Sequence, residues 1–595
     1  MRPALPLAIA LVGCSNAERV RKLEQEVRLL ETQVADLEQR TETLTEKLAN
    51  AKPPSQAVRK DLDPEGFDVT KPLPAGKAGQ PDVLLVSVDT LRADHLGAYG
   101  YDRPTSPFID ELAAGGTVFE SAWSPTSWTL PSHTTMLSGQ LPVHHGIIED
   151  HLRIADDIPL VQEAFHEAGY ATSGAVATLF VSSRFGFDRG FDAFEDFGVK
   201  SKAQNNLSIV DADHVFHTTL HWAQQQEPGV PLFAFAHVYD VHYGYDAPPP
   251  WNEKFDRPPN MSDQRYKKYF HYLRAGLPSP EQMAHQVAQY DEEIAFTDAM
   301  LRELVEAWRA SGRDLIVVLT ADHGEEFGER GSWGHGHTLY PEQLHVPWIV
   351  HGPGVKAQRL AHRVGTEDVA PTIAGLAGLR FDARDGVSRA AEVKSGRPVA
   401  QGPAAEWAAT SRFDTNRFRL HEPPYDLYVD LMQRKRELCD VAADPRCATN
   451  VFKDQREKAD ELFQQAMDYL GKPWKVNVSG TLRVRNGVAF RGIVRSPPGA
   501  PLTVTAGDEL NIVPGDAVVD FQFDDGTTAG PWQAFGGAVP GDGCPVSYDG
   551  RFLVSARLGE KSDEEIAMLR ELGYLQGDEE ETDDDGASGR VDCTP

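Results

Sequence analysis

Positive charge is what this 595-residue chain lacks most: 58 lysines and arginines stand against 89 acidic residues, a formal net charge of −31. With no basic field to collect phosphates, the charge argues against nucleic acid as a partner. An anionic substrate is not excluded, because a bound metal reverses the local field. Cysteine is scarce, with five residues, and no pair has metal-site spacing. Long hydrophobic runs are missing too: the one apolar stretch near the start, Ala4–Val12, is too short to span a bilayer. What remains, 41% hydrophobic and 25% charged residues, is the composition of a soluble globular protein. The length calls for two or more domains.

Arg2, Ala4–Val12 and Gly13-Cys14 have the layout of a secretory signal. Leu11-Val12-Gly13-Cys14 resembles the bacterial lipobox, which implies cleavage before Cys14 and a lipid anchor on that residue. Ser15 in the next position implies the outer membrane, facing the periplasm or the cell surface. In that compartment Cys439 with Cys447, and Cys544 with Cys593, are plausible disulfides, although four cysteines permit other pairings. Residues 17–51 carry a heptad array: Val20, Val27, Val34, Thr41 and Leu48 on one seam position, Leu23, Leu30, Leu37 and Leu44 on the other. That pattern predicts a coiled-coil homodimer or trimer, a rod of roughly 45 Å. A Pro/Gly-rich linker, 52–80, follows, then an α/β domain over 81–472. A small β module (473–560), a short helix motif (561–577) and an acidic tail (578–595) complete the chain.

Three apolar runs, Val83–Val88, Pro231–Ala236 and Leu315–Thr320, read as strands buried on both faces of a parallel sheet. Their ends carry Asp89, then His237, Asp240 and His242, then Asp322-His323. Ligands bind beyond the carboxyl ends of such strands. Helices are expected over Ser106–Gly115, Pro159–Ala168 and Ala284–Ser311, and another begins near Thr129. An Asp-His pair at a strand end gives one metal ion an oxygen and a nitrogen, and Trp333-Gly334-His335-Gly336-His337 follows it. Histidine-rich ligand sets favour zinc or manganese over calcium, with a second ion possible. Asp89 could instead cap the next helix, and Thr129 could be an N-cap. A hydroxyl at a helix start is also well placed beside a bound anion.

The segment Asp82–Ile147, with Gly169-Tyr170-Ala171-Thr172, Gly186–Phe194, His237–Tyr245, Asp322–His337, His345-Val346-Pro347 and Leu569–Leu575, resembles the sulfatase family of the alkaline phosphatase superfamily. The resemblance implies a central mixed, mostly parallel sheet flanked by helices, and a metal-dependent ester hydrolase. Sulfatases carry Cys-x-Pro-x-Arg, whose Cys (or Ser) is oxidised to formylglycine; here the aligned residues are Thr129-Leu130-Pro131-Ser132-His133, so that aldehyde cannot form. The second paired Asp ligand is Thr90, and Gly174-Ala175-Val176-Ala177 replaces the sulfate-gripping Gly-Lys-Trp-His. These changes resemble the threonine-using branch of the superfamily. Carried over by position, the metal ligands are Asp89, Thr129, Asp322 and His323, and Thr129 is the nucleophile. His242 and His335 contact the transferred group or a second metal, with Asp240 and His337 as weaker candidates. His133 offers a hydrogen bond to that group or is structural. Arg92 and Asp94 are read as structural, and His95, His144, His145 and His345 receive no role. The expected function is a lipid-anchored hydrolase of sulfate or phosphate esters. The alternatives are a phosphoethanolamine-type head-group transferase of the cell envelope or an inactive sulfatase-like binding module.

Overall fold

The computed structural model describes residues 68–470 apart from short breaks, the longest at 197–210 and 256–278, and only strand segments between 474 and 558. The lipobox with Cys14, the heptad array, most of the linker, Cys544 and Cys593, the terminal helix motif and the acidic tail lie outside the described residues.

The three apolar runs form the middle of an eight-stranded sheet. Its order is Gln358–Gly365, Thr117–Trp123, His345–His351, Leu315–Thr320, Asp82–Val88, Leu232–Val238, Ala171–Val176 and Ala193–Asp196. Only His345–His351 runs against the rest. This is the mixed, mostly parallel sheet expected. Asp82–Val88 lies between two parallel neighbours and is buried along its whole length, because every residue faces a helix layer on one side or the other.

Helices fall close to their expected places: Pro107–Gly115, Val161–Glu167 and Pro280–Ala310. The last begins earlier than the apolar pattern suggested, because Ser279 and Gln282 close a capping box around Pro280. Asp298 on this helix accepts from the N–H groups of Phe108 (3.0 Å) and Ile109 (2.8 Å), so a buried carboxylate caps the neighbouring helix.

A four-stranded antiparallel sheet, Trp407–Thr410, Arg417–Glu422, Tyr425–Asp430 and Lys435–Asp440, was not read from the sequence. It carries the Cys439–Cys447 disulfide and the helix Arg456–Leu470. The β module consists of a five-stranded and a four-stranded antiparallel sheet, and Ala556–Leu558 pairs with Leu152–Ile154 of the α/β domain.

At the amino end of the central strand, Asp82 accepts from Arg313 (Nε 2.5 Å, Nη2 2.8 Å), Trp308 Nε1 (2.8 Å) and Leu232 N (2.9 Å). Removing one partner of such a buried pair strands the other. Asp82→Ala is therefore expected to lower stability by about 3–5 kcal/mol in urea unfolding.

His145 is fully buried. Its Nδ1 accepts from Ile147 N (2.9 Å), which leaves Nε2 as the protonated nitrogen, 3.1 Å from Thr135 Oγ1. Burial pushes its pKa down to about 3. The unfolded chain then takes up a proton below about pH 6.5 that the folded chain does not, so stability falls as pH drops through that value. His145→Gln is expected to flatten the loss between pH 6.5 and 5 by about 1 kcal/mol per pH unit, measured as urea midpoints at each pH.

Candidate active site

Parallel strands put their carboxyl ends on one edge, and the site is built there. Asp89 follows Val88, Asp322 lies two residues beyond Thr320, and His237 is the penultimate residue of its strand. The parallel register sets His237 and Thr320 on either side of Ser87. Beyond Thr117–Trp123 the chain enters the helix Thr129–Ser138, in which Trp128 is the N-cap and Thr129 the first helical residue. Thr129 is therefore not the N-cap, and its hydroxyl turns to the strand ends: Oγ1 lies 3.5 Å from Asp89 Oδ2 and 3.5 Å from His323 Nε2. Asp89 caps no helix; the next helical turn, Ala93–His95, has Arg92 at its start.

Asp89, Asp322 and His323 are buried, and each offers a ligand atom within 4.8 Å of the others. His323 Nδ1 donates to Gly324 O (2.9 Å), so Nε2 carries the lone pair and faces Asp322 Oδ2 (3.3 Å). Asp322 Oδ1 accepts from Thr90 N (3.2 Å) and His323 N (2.9 Å). Asp322 Oδ2 and Asp89 Oδ1 are buried with no hydrogen bond among the described residues. Burial pushes the Asp89 carboxyl well above its usual range, and the charge of Asp322 pushes it further. Two buried oxygens left unsatisfied beside an imidazole lone pair form a donor set that fits a divalent cation.

His133 is fully buried and engaged at both nitrogens: Nδ1 donates to Thr129 O (3.0 Å) and Nε2 accepts from Ser87 Oγ (2.9 Å). It ties the Thr129 backbone to the central strand. His335 lies between two other imidazoles, its ring 4.5 Å from that of His323 and 4.8 Å from that of His242. Its Nδ1 is 2.9 Å from Glu325 Oε1, and Tyr245 OH donates to Glu325 Oε2 at 3.0 Å. His242 Nδ1 donates to Tyr243 O (3.1 Å), and its Nε2 is 3.0 Å from Tyr239 OH.

The two weaker candidates are engaged by other partners. Asp240 Oδ1 accepts from Ala212 N (2.9 Å) at the start of the helix Ala212–Gln224, because the chain turns away from the sheet edge after Val238. His337 Nε2 pairs with Glu326 Oε2 (3.4 Å). Arg92 and Asp94 form an ion pair (2.9 Å), as a structural role requires.

His237 and Glu325 were not given roles from the sequence. His237 is fully buried, with Nε2 3.3 Å from Asp89 Oδ2. The signal for it was the register: it sits level with Ser87, two residues before Asp89.

Residues 81–379 match the sulfatase family model, so the chain belongs to the sulfatase family, a class of ester hydrolases. A Δ4,5-hexuronate-2-O-sulfatase of Bacteroides thetaiotaomicron is 24% identical over 63% of this chain and 85% of its own. A choline-sulfatase of Rhizobium meliloti is 23% identical over 70% of this chain and 91% of its own. Among solved structures, the phosphonate monoester hydrolase of Agrobacterium radiobacter superposes with a TM-score of 0.54 at 18% identity, covering 66% of this chain and 95% of that one. At that identity the likeness is one of fold.

Proposed function

We propose that this protein is a metal-dependent hydrolase of phosphate or sulfate esters in which Thr129 is the nucleophile. The observation that carries the reading is the Thr129 hydroxyl, 3.5 Å from both Asp89 Oδ2 and His323 Nε2, the imidazole nitrogen that also faces the unsatisfied Asp322 Oδ2. Asp89, Asp322, His323 and Thr129 would hold the ion, zinc or manganese in preference to calcium. When bound it would supply positive charge that lowers the hydroxyl pKa and offsets the charge of the ester.

Thr129 Oγ attacks phosphorus or sulfur and forms an ester bond to it as the bond to the leaving oxygen breaks. The Thr129 hydroxyl proton passes to Nε2 of His335, the resulting imidazolium returns it to the departing oxygen, and water then cleaves the threonine ester; His242, whose N–H is held by Tyr243 O, would line the transferred group. Glu325, braced by Tyr245, accepts from His335 Nδ1–H and so fixes the tautomer with which His335 works. His133 holds the Thr129 carbonyl and thus the start of the helix. Without a residue oxidisable to an aldehyde at 129, phosphoryl substrates are favoured over sulfuryl ones. The same reading places the enzyme in the cell envelope, anchored through Cys14 on a coiled-coil stalk of two or three chains, with the sequence as its support.

Thr129→Ala should lower kcat/KM by at least about 10³-fold, with Tm unchanged, while Thr129→Ser keeps measurable turnover. The check is a panel of 4-nitrophenyl phosphate, phosphodiester and sulfate. Alanine at 129 with wild-type rates would reject the nucleophile. Exhaustive chelation should abolish turnover, and zinc or manganese should restore it better than calcium. Protein shown by elemental analysis to be metal-free yet fully active would refute the metal requirement.

A further inference from the structure

Away from the strand-end carboxylates, the contact between the main sheet and the four-stranded antiparallel sheet holds two arginines that the chemistry above does not use. Trp123 ends the strand Thr117–Trp123 and pairs in register with Gly365. The guanidinium of Arg363 lies 3.8 Å from the centre of a Trp123 ring, and that of Arg419, on the antiparallel sheet, lies 4.8 Å from it. Arg419 is 1% exposed. Four of their N–H groups, Arg363 Nε and Nη2 and Arg419 Nε and Nη1, are buried with no hydrogen bond among the described residues.

The chain offers too little negative charge to balance them. Asp426 Oδ2 is 3.8 Å from Arg419 Nη1, but Asp426 also serves His421 Nδ1 (2.5 Å) and Tyr428 OH (3.1 Å). Glu367, whose charge also reaches Arg363, is pushed well above its usual range by burial, and neither of its oxygens has a hydrogen bond among the described residues. A buried donor left unpaired is destabilising, more so when it is charged. Two like charges in contact with one ring add repulsion. An acceptor from outside the chain removes both costs. Guanidinium forks present parallel N–H groups at the spacing of oxygen pairs on carboxylate, sulfate and phosphate.

We propose that Arg363 and Arg419, gathered on Trp123, form a second anion site that takes a carboxylate, sulfate or phosphate group. The site is joined to the catalytic edge. Ser124, next to Trp123, has its Oγ 3.1 Å from Ser132 Oγ on the nucleophile's helix. Arg417, on the same strand as Arg419, donates to His337 O. The anion is either free in solution or an acidic group of the substrate remote from the scissile ester. Binding at the site does not depend on the hydrolase reading; only its use by substrate does.

The test uses the full chain, wild type, Arg363→Gln and Arg419→Met. Thermal unfolding is followed from zero to about 50 mM sodium sulfate at ionic strength held constant with sodium chloride. Sulfate stabilises most proteins by exclusion, so the readout is the difference between wild type and variant. The expected result is a saturable rise in Tm in the wild type, most of it absent from both variants. Equal rises in wild type and variants, or no saturable rise at all, would overturn the proposal. Arg363 is part-exposed, so Arg363→Gln carries the test if Arg419→Met does not fold. A kinetic arm separates the sources. If substrate supplies the anion, Arg363→Gln raises KM about tenfold for an ester bearing a second acidic group, with kcat and the singly charged ester unaffected. If the anion is free, both esters behave as in the wild type while the thermal difference persists.

Discussion

Two carboxylates brought together out of water, Asp89 and Asp322, are the constraint around which this protein is arranged. Among the described residues their ion pairs are with histidines alone: His237 and His323 for Asp89, His133 and His323 for Asp322. A buried carboxylate costs several kcal/mol unless positive charge compensates it. A further cation at such a pair would complete the compensation and stabilise the native state. The strand ends, the Thr129 helix and the Glu325–His335 pair are all positioned relative to these two acids.

The central strand makes the point by contrast, since it carries an aspartate at each end. Asp82, at the amino end, is saturated by Arg313, Trp308 and the Leu232 amide. Asp89, at the carboxyl end, has one long hydrogen bond from the Thr129 hydroxyl, two histidines beside it and an oxygen with no hydrogen bond among the described residues. The first locks three strands and the long helix together, and its value is stability. The second is left chemically open, and that openness is what a binding site requires.

Much of this was legible in the residues because each link was local. Continuous apolar runs gave the central strands, and the residues just past them gave Asp89, Asp322 and His323, since a parallel sheet leaves its carboxyl ends nowhere else to go. Thr129 was legible as a helix start but not as to which way its hydroxyl turns, which depends on Trp128 serving as the cap. Asp240 and His337 each lie within a few residues of a site member, and their side chains are engaged by Ala212 N and Glu326. His237 was visible at its strand end but without a role, and Glu325 carries no spacing signal of its own. Their roles come from strand register and from a hydrogen bond across ten residues. The antiparallel sheet over 407–440 was missed although Arg417–Leu420 alternates charged and apolar residues as a half-buried strand does.

Thr90 shows how the site absorbs the loss of an acidic ligand. It occupies the position where the family pattern has the second of its paired aspartates, and its φ of 55° is unusual for a β-branched residue. Such a conformation costs of order 1–3 kcal/mol and survives only where its surroundings over-determine it. Here they do: Oγ1 donates to Val241 O (2.8 Å), the carbonyl accepts from Tyr290 OH (2.9 Å), and the amide is turned to Asp322 Oδ1 (3.2 Å). The strained turn replaces a side-chain oxygen with a backbone donor aimed at the partner carboxylate. It helps hold Asp322 Oδ1 on backbone amides, so that Oδ2 faces the His323 ring. The chain keeps one fewer acid at the sheet edge, and the orientation of the acid that remains depends on the strain at Thr90.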